Sequence, residues 1–322
     1  MEVKLVDLAA QYRSIKLELD EAIAHVVERG QYVAGPEVEQ FEDAWARYCH
    51  ARYAVGVSSC SDALYLTLAY ARCEWGETRV RTTPMTFWAT TEAALRAGLR
   101  VQYRDIEPTG CITASGQDFD ELNLPVNLYG YPAAISSAER TVEDAAHSHG
   151  IPLRGWAACH SFYPTKPLGA MGQAGAVVTN DPKLAQWVRM GRAHSEAAAR
   201  FRPVGVTGNM RLDTLQAALL LAKLPKLDAM NEMRAAQARA YNARLPSHLR
   251  PPECFQYRVW HQYVIRHPER DRLMLALTER GIGTRIHYPT PPHKQECYAG
   301  MYGDMSLPVA EQLSREVLSL PL

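Results

Sequence analysis

Residues 161–169 read SFYPTKPLG, and this stretch carries a lysine between an apolar segment and a turn. Most lysines are solvated surface charges. Lys166 differs because its neighbours are apolar or small: Phe162, Tyr163, Pro164, Pro167, Leu168 and Gly169. Such neighbours exclude water from the amine and lower its pKa, which suits a nucleophile that attacks a carbonyl. The stretch therefore predicts a reactive lysine that follows a strand over residues 156–162.

An acid and an imidazole lie upstream, in the segment VEDAAH of residues 142–147. Asp144 follows a β-branched pair at the end of a predicted strand, where ligands bind in open α/β sheets. A buried carboxylate needs a cationic partner, and a protonated pyridine nitrogen would be one. Taken alone, Asp144 could be the N-cap of a helix, and His147 could be an ordinary histidine on a helix surface.

Further upstream, residues 59–64 read SCSDAL and form a small polar segment before a predicted helix. The free N–H groups and the dipole of such a helix make an anion site, although an ordinary N-cap has the same sequence. A phosphate turn, an acid and a lysine, in this order, are what an enzyme that uses pyridoxal phosphate (PLP) requires. The turn binds the phosphate, the acid keeps the pyridine nitrogen protonated, and the lysine forms a Schiff base. Phe87 lies at another strand-to-helix junction and could stack on the pyridine ring.

Strands and helices alternate along the first part of the chain. Helices are predicted over residues 13–29, from Pro36, and over 61–73 and 87–97, and strands over 53–57, 79–83, 101–104, 125–129, 141–143, 156–162 and 175–179. This alternation predicts an α/β fold with a mainly parallel sheet. A helical stretch over 212–245, interrupted at Pro225, precedes a strand over 258–266 and helices over 271–280 and 308–318. We therefore predict a large domain, with an N-terminal segment, over residues 1–225, and a small C-terminal α/β domain over residues 226–322.

Composition narrows the class of protein. The 322 residues include 35 Lys and Arg against 35 Asp and Glu, and the absence of a basic excess argues against a nucleic-acid partner. Seven cysteines with no CxxC pair argue against a disulfide framework or a zinc ribbon and favour reduced thiols in the cytoplasm. The N-terminus lacks an apolar signal core, and the longest apolar run in the helical region is too short to span a bilayer. We expect a cytoplasmic protein with no membrane partner.

Two further segments carry polar side chains that could contact a ligand. Asn209 and Arg211 follow a polar loop over residues 195–207 and could meet a phosphate or carboxylate, or could simply belong to a loop and an N-cap. His287 and His293 lie six residues apart in a stiff, proline-rich loop. No carboxylate or thiolate completes a recognisable ligand set with them, so we expect no metal.

The ordered set of motifs resembles the DegT/StrS-type nucleotide-sugar aminotransferases, within the fold-type I PLP-dependent transferases. The resemblance covers almost the whole chain and includes GQYVAGP at residues 30–36, HQY at 261–263, HYP at 287–289 and LSLP at 318–321. It implies that Lys166 forms the Schiff base, that Asp144 pairs with the pyridine nitrogen, that His147 approaches the phenolic oxygen and that Phe87 stacks on the ring.

The same resemblance implies a phosphate site and a substrate side. Cys60, Ser61 and Ser161 would bind the phosphate, and Asn209 would join them from the neighbouring subunit of a homodimer with shared active sites. Three residues would lie toward the sugar nucleotide or the amino donor: Arg211, His287 and His293. The chain departs from the family pattern where Cys60-Ser61 replaces a Gly-Thr pair and where His147 replaces a common Gln. Its segment 105–125 is shorter than expected, and the usual terminal helix is missing after the LSLP motif.

These observations predict an aminotransferase that uses PLP and transfers an amino group, with glutamate as donor, to a keto-sugar nucleotide. One alternative is a related PLP-dependent sugar dehydratase or deoxygenase, but relatives of that type lack the Schiff-base lysine. Another alternative is a non-catalytic regulatory protein that keeps the fold, which the altered phosphate turn and the short C-terminus leave open.

Overall fold

Seven short strands form the central sheet of the protein, whose computed structural model describes residues 2–107, 121–135, 137–194, 208–252 and 258–322. The strands are β1 Tyr53–Val57, β2 Arg79–Thr82, β3 Arg100–Tyr103, β4 Asn123–Leu124, β5 Val142–Asp144, β6 Ala157–Ser161 and β7 Gly175–Thr179. β2 pairs in parallel with β3 and β4, β5 pairs in parallel with β6, and β7 runs antiparallel to both β6 and β1. Parallel bridges from Asn123 to Thr141 and from Val126 to Asp144 connect β4 to β5. The resulting strand order is 3-2-4-5-6-7-1, which confirms the predicted mainly parallel α/β sheet.

Helices cover both faces of this sheet. They are α1 Leu8–Ser14, α2 Lys16–Arg29, α3 Pro36–Tyr48, α4 Cys60–Trp75, α5 Ala89–Arg96, α6 Pro182–Gly191, α7 Thr214–Lys223, α8 Leu227–Arg244, α9 Arg270–Glu279, α10 Ala299–Tyr302 and α11 Pro308–Glu316. Along β7, Val177 packs into the apolar cluster that contains α4, α5 and α6, whereas Ala176 and Val178 pack into the cluster that contains α3 and α7. This alternation gives each face of the strand its own helical layer.

Two predicted elements were wrong. The strand predicted over 125–129 is absent, because β4 ends at Leu124 and residues 128–130 form a 3-10 turn in which Tyr129 and Gly130 have positive φ values of 57° and 93°. A Cβ at Gly130 would lie 1.7 Å from the Val259 carbonyl oxygen. The turn therefore needs a glycine because the distant segment that contains Val259 packs against it. The helix predicted over 308–318 ends at Glu316, and the next residues form β9, Val317–Leu320.

The N-terminal helix predicted over 13–29 is two helices, because Ile15 leaves the helical region with a φ of −135°. The interruption predicted at Pro225 is confirmed: residues 224–226 form a 3-10 turn between α7 and α8. Gly30 ends α2 in the left-handed conformation, as its sequence position predicts.

The C-terminal part contains a two-stranded antiparallel sheet of β8, Tyr263–Arg266, and β9, in which Tyr263 pairs with Leu320. Its apolar cluster combines this sheet with α8: Ala238, Tyr263, Ile265, Leu318 and Leu320. Val264 and Val317 of the same two strands pack into the apolar cluster of the large sheet, so the division into two domains at residues 225 and 226 stays a prediction. Within the described ranges, no helix combines the length and the apolar character needed to cross a membrane.

Candidate active site

The loop that carries Lys166 leaves the sheet at the carboxyl end of β6. Phe162 continues the strand pairing, because its N–H donates to the Ala174 carbonyl at 2.8 Å and its carbonyl accepts from the Ala170 N–H at 2.8 Å. Between these anchors the Lys166 N–H donates to the Tyr163 carbonyl at 2.8 Å. A Cβ at Gly169 would lie 2.3 Å from the Pro164 oxygen, so a glycine is required to close the loop. The loop therefore holds Lys166 in a tight bend at the sheet edge.

The Lys166 side chain is half-buried. Burial lowers its pKa to about 8, against the opposing effects of Cys60 and Asp144, which favour the charged form. The amine therefore loses its proton far more readily than an exposed lysine. It can act as a nucleophile or as a proton carrier near neutral pH.

Asp144 ends β5, the strand next to the one that leads to Lys166, and its carboxylate is buried. Oδ2 accepts a hydrogen bond from the Thr90 hydroxyl at 2.8 Å, and Oδ1 accepts one from the Ala146 N–H at 3.2 Å. Burial raises the pKa of Asp144, while these two hydrogen bonds and the charge of Lys166 lower it. Residues 145–150 form turns, so the helix-cap alternative for Asp144 is wrong.

His147 lies in these turns, buried, and not on a helix surface. Its Nδ1 accepts the Tyr129 N–H at 3.1 Å, and its ring lies 4.3 Å from that of His261. Burial, followed by the charge of Lys166, lowers the pKa of His147 well below its usual value. Because Nδ1 is an acceptor, the single proton of the neutral ring is on Nε2, which leaves a donor available to a bound group.

His287 belongs to the C-terminal part of the chain. Its Nδ1 lies 2.8 Å from the Ser319 hydroxyl and 3.1 Å from Gln262 Nε2. Burial, with a further contribution from Lys166, lowers the pKa of His287 to about 4. The ring is therefore neutral at physiological pH, and its orientation is set by residues of the C-terminal part.

The predicted phosphate turn begins α4. Ser59 is the N-cap, and its hydroxyl accepts from the Asp62 N–H at 3.1 Å. The Cys60 thiol donates to the Cys159 carbonyl at 3.3 Å, and burial raises the pKa of this thiol well above its usual value. Cys60 is part of the helix and has no positive φ, so cysteine is tolerated here without backbone strain. The Ser61 hydroxyl makes no hydrogen bond with any described residue, so it is available beside the helix N-terminus.

This donor set fits PLP. An amine of lowered pKa, a buried carboxylate and the free N-terminus of the 16-residue helix α4 provide the three contacts that a pyridine aldehyde with a phosphate needs. A Cβ at Gly175 would lie 2.4 Å from the Ser59 carbonyl carbon, so the start of β7 is packed directly against the phosphate turn. The electrostatic interactions of Lys166 with Asp144, Cys60, His147 and His287 show that the fold brings these predicted residues together.

Other predicted residues lie around this group. Ser161 is buried at the end of β6, and its hydroxyl accepts from the Tyr163 N–H at 3.3 Å. Phe87 is 41% exposed before α5, with its ring centroid 5.7 Å from that of Tyr288. The contacts of Ser161 with the phosphate and of Phe87 with the ring stay predictions.

Asn209 and Arg211 lie beside the end of β1, since Arg211 bridges to Val57 and the Ser58 N–H donates to the Met210 carbonyl at 2.9 Å. Arg211 Nη1 donates to Asn209 Oδ1 at 2.7 Å, and Asn209 is exposed. The preceding loop over residues 195–207 lies outside the described residues. The backbone of this segment therefore lies beside Val57 and Ser58 of the same chain, while the contact of Asn209 with the phosphate of a neighbouring subunit stays a prediction.

His293 lies apart from the cluster around Lys166. Its side chain is completely buried, its Nε2 lies 3.1 Å from Glu311 Oε1, and its ring lies 6.0 Å from that of Tyr103. Glu311 also accepts from the Leu307 N–H at 3.0 Å, at the start of α11. These contacts favour a structural role for His293, so its assignment to the substrate side is the weakest of the predicted set.

Sequence reasoning missed three residues that contact or influence this cluster: Thr90, His261 and Tyr288. Thr90 lies one helical turn after Thr86, which is the signal that could have drawn attention to it. His261 and Tyr288 belong to the HQY and HYP segments of the resemblance, but their roles depend on contacts made across the fold. Burial, with a further contribution from Asp144, raises the pKa of Tyr288. Burial, with a further contribution from His147, lowers the pKa of His261.

Comparisons with known proteins agree with this geometry. The model of the DegT/DnrJ/EryC1/StrS aminotransferase family matches residues 13–322. A dTDP-3-amino-3,4,6-trideoxy-alpha-D-glucose transaminase from Streptomyces venezuelae is 38% identical over 351 residues, covering 99% of this chain and 91% of the relative. A pleiotropic regulatory protein from Geobacillus stearothermophilus is 35% identical over 350 residues, covering 100% of this chain and 94% of the relative.

A solved structure shows the same architecture. The crystal structure of S. venezuelae DesV in complex with a ketimine intermediate superposes with a TM-score of 0.91 at 35% identity, covering 100% of this chain and 93% of that one. The match therefore extends over the complete sheet, the surrounding helices and the segments that hold Lys166 and Asp144. The chain belongs to the DegT/DnrJ/EryC1/StrS aminotransferase family.

Proposed function

We propose that this sugar aminotransferase uses PLP to transfer an amino group from glutamate to the ketone of a nucleotide-linked sugar, with Lys166 as the reactive amine. One observation carries the proposal: the Lys166 amine, with a pKa of about 8, lies close enough to the buried Asp144 carboxylate for the two to influence each other's protonation. A lysine of lowered pKa and a buried acid near it, at the carboxyl ends of β5 and β6, are more typical of a catalytic site than of a structural ion pair.

The cofactor would be held by residues at or after the ends of four strands: β1, β2, β5 and β6. The N-terminus of α4, with Cys60 and Ser61, would bind the phosphate together with Ser161, while Asp144 would pair with the pyridine nitrogen. His147 would donate from Nε2 to the phenolic oxygen, and Phe87 would cover the ring. When bound, PLP carries the amino group and takes up the electron pair released when a carbon–hydrogen bond breaks.

Lys166 would move the protons of the reaction. In its neutral form, the amine accepts the proton from the α-carbon of the amino donor. In its charged form, it returns a proton to the sugar carbon that receives the amino group. Its lowered pKa is consistent with both roles, because the two protonation states then lie close in free energy near neutral pH.

The nature of the acceptor is suggested by the relatives. The S. venezuelae relative is named for a dTDP-linked amino sugar, so a keto-sugar nucleotide is the acceptor class we propose here. Arg211, beside the end of β1, and His287, with its neutral ring, are the candidate contacts for the sugar nucleotide or for glutamate. His293 remains a third candidate, disfavoured by its burial against Glu311.

We further propose a homodimer in which Asn209 reaches the phosphate of the partner's site. Asn209 is exposed in the single chain. Several large apolar side chains are also exposed, among them Tyr32, Val33, Phe87, Trp88, Tyr163 and Met171. An interface between two chains would cover such side chains. A cytoplasmic location stays a prediction from the sequence.

The alternatives have less support. A sugar dehydratase or deoxygenase of this family would lack the lysine that is present as Lys166. A regulatory role is suggested by the printed name of the G. stearothermophilus relative, but such a role does not need a lysine of lowered pKa beside a buried acid.

A donor and acceptor screen tests the proposal. The purified protein, incubated with PLP, should show a visible absorption band that glutamate bleaches as 2-oxoglutarate forms. Keto-sugar nucleotides should then restore the band, and mass spectrometry and NMR should identify an amino-sugar nucleotide. A protein that binds PLP but forms no 2-oxoglutarate would contradict the choice of donor. One that binds no PLP would favour the regulatory alternative.

A further inference from the structure

Two buried threonines, Thr86 and Thr90, are linked by hydrogen bonds to Asp144, and neither belongs to the predicted site. Thr90, in the first turn of α5, donates its hydroxyl hydrogen to Asp144 Oδ2 at 2.8 Å. The hydroxyl of Thr86 lies 2.7 Å from that of Thr90. Thr90 is 0% exposed and Thr86 is 3% exposed, so no water can substitute for these contacts.

The direction of this hydrogen-bond chain follows from the chemistry of its members. An ionised carboxylate only accepts, so the hydrogen of Thr90 must point at Asp144. A hydroxyl has one hydrogen, and Thr86 must therefore be the donor in its contact with Thr90. The chain runs from Thr86 through Thr90 to Asp144, and every hydrogen in it is directed toward the carboxylate.

We propose that Thr90, oriented by Thr86, is a positioning residue that holds the Asp144 carboxylate ionised and in one orientation toward the pyridine nitrogen of bound PLP. This inference rests on the proposed function. Asp144 is cut off from solvent, and a buried carboxylate without donors takes up a proton. The ionised form of Asp144 is favoured by hydrogen bonds from the Thr90 hydroxyl and the Ala146 N–H and by the charge of nearby Lys166.

Thr90 matters because the Lys166 contribution is temporary. When the Lys166 amine becomes neutral to accept a proton, its charge no longer favours the ionised form of Asp144. The Thr90 hydroxyl cannot be lost in this way, since it stays protonated throughout the pH range of the reaction. It therefore keeps the acid charged in the step in which the pyridine nitrogen most needs a negative partner.

The test compares Thr90→Val with two matched variants. Thr90→Ser keeps the hydroxyl on a smaller side chain. Thr91→Val removes the hydroxyl of the adjacent threonine, which is equally buried but bonds to the Tyr103 hydroxyl at 2.7 Å. Each cofactor-free protein is reconstituted with PLP labelled with ¹⁵N in the ring, and the chemical shift of the pyridine nitrogen reports its protonation.

In Thr90→Val, the ¹⁵N signal should move toward that of an unprotonated pyridine, and kcat should fall about 10- to 100-fold with little change in KM, because a hydrogen bond to a charged group is lost. Asp144→Asn should show the same spectral change more completely. Thr90→Ser should restore the protonated signal and most of kcat, and Thr91→Val should keep both. Thr86→Val should reproduce the change in weaker form, and this variant tests the chain even if Thr90→Val does not fold.

A protonated pyridine signal and normal kcat in both Thr90→Val and Thr86→Val would overturn the inference. Equal losses in Thr90→Val and Thr91→Val would also overturn it, because they would show a general packing effect. The ¹⁵N measurement needs PLP but no sugar substrate, so it separates the two proposals. Wild-type protein that binds no PLP would overturn both, whereas wild-type protein with a protonated signal that Thr90→Val retains would overturn only this one.

Discussion

At the scale of single residues, burial controls the chemistry of this protein. The Lys166 amine and the Asp144 carboxyl are both shifted toward their neutral forms by loss of solvent, and each is partly returned to its charged form by the other. The surrounding imidazoles of His147, His261 and His287 are all kept neutral by burial. The site thus combines an amine, Lys166, that can exchange a proton near pH 8 with a buried acid, Asp144, whose charge favours the protonated amine.

Substitution of the lysine tests its role directly. Lys166→Ala should abolish multi-turnover transamination and prevent covalent attachment of PLP, because no other amine replaces Nζ in the loop. Mass spectrometry after borohydride reduction should find the cofactor on Lys166 in the wild-type protein and no adduct in the variant. Circular dichroism should show that the fold survives. A reducible adduct in the variant would place the reactive amine elsewhere.

The lowered pKa of Lys166 predicts a pH dependence for cofactor attachment. Only the neutral amine attacks a carbonyl, so the rate should be low in acid, rise with increasing pH and level off above the pKa. The midpoint should lie at about 8, where burial places this amine, and not at the 10.5 of an ordinary lysine. Stopped-flow absorbance of cofactor-free protein mixed with PLP measures this rate. A midpoint near that of a free lysine would show that the amine is solvated.

At the scale of elements, the site depends on how strand ends and helix starts meet. β5 and β6 end at Asp144 and Ser161, and α4 begins at Cys60. β7 contacts the start of α4 so closely that Gly175 has no room for a side chain beside Ser59. The phosphate turn is therefore positioned by a strand that contributes no predicted site residue.

Gly175→Ala should disturb this contact. A Cβ there would lie 2.4 Å from the Ser59 carbonyl carbon and 2.6 Å from the Cys60 nitrogen, so the turn must move. We expect the free energy of unfolding to fall by about 1–3 kcal/mol and the affinity for PLP to fall with it. Denaturant titration and cofactor reconstitution measure the two effects.

Gly300→Ala is the matched control, because a Cβ at Gly300 in α10 would meet nothing within 4 Å. Its free energy of unfolding should change by less than about 0.5 kcal/mol and its PLP affinity should not change. If Gly175→Ala behaved like this control, the close contact between β7 and the phosphate turn would not be important for either property.

At the scale of the whole molecule, the proposed homodimer concerns the exposed side chains of the single chain. Asn209 is exposed, and its Oδ1 accepts a hydrogen bond from Arg211. A closed two-fold dimer is the commonest arrangement of soluble homo-oligomers and would cover these side chains. It would also allow Asn209 of each chain to reach the site of the other.

Light scattering should accordingly give twice the 36.0 kDa mass of the chain. Lys166→Ala and Asn209→Asp, each defective alone, should regain activity when mixed after reversible dissociation, since one site of each heterodimer would then contain both native residues. The added charge of Asn209→Asp should repel the phosphate and weaken PLP binding in the parent variant. A fully active monomer, or a lack of any complementation, would refute shared sites.

Local sequence by itself determined the α/β class, the break between α7 and α8 and the segments around Lys166, Asp144 and Cys60. These features depend on apolar periodicity, proline and glycine, and strand-to-helix junctions, which act over a few residues. Contacts between distant segments decided the rest. Residues 317–320 form β9 because they pair with β8. The turn at Gly130 requires glycine because the Val259 backbone lies against it. Thr90 donates a hydrogen bond to Asp144, which lies 54 residues away in the sequence. His293, which is buried, contacts Glu311. These contacts form only in the folded chain. Each one is stabilised by burial, and the local sequence does not determine which distant segments become buried together.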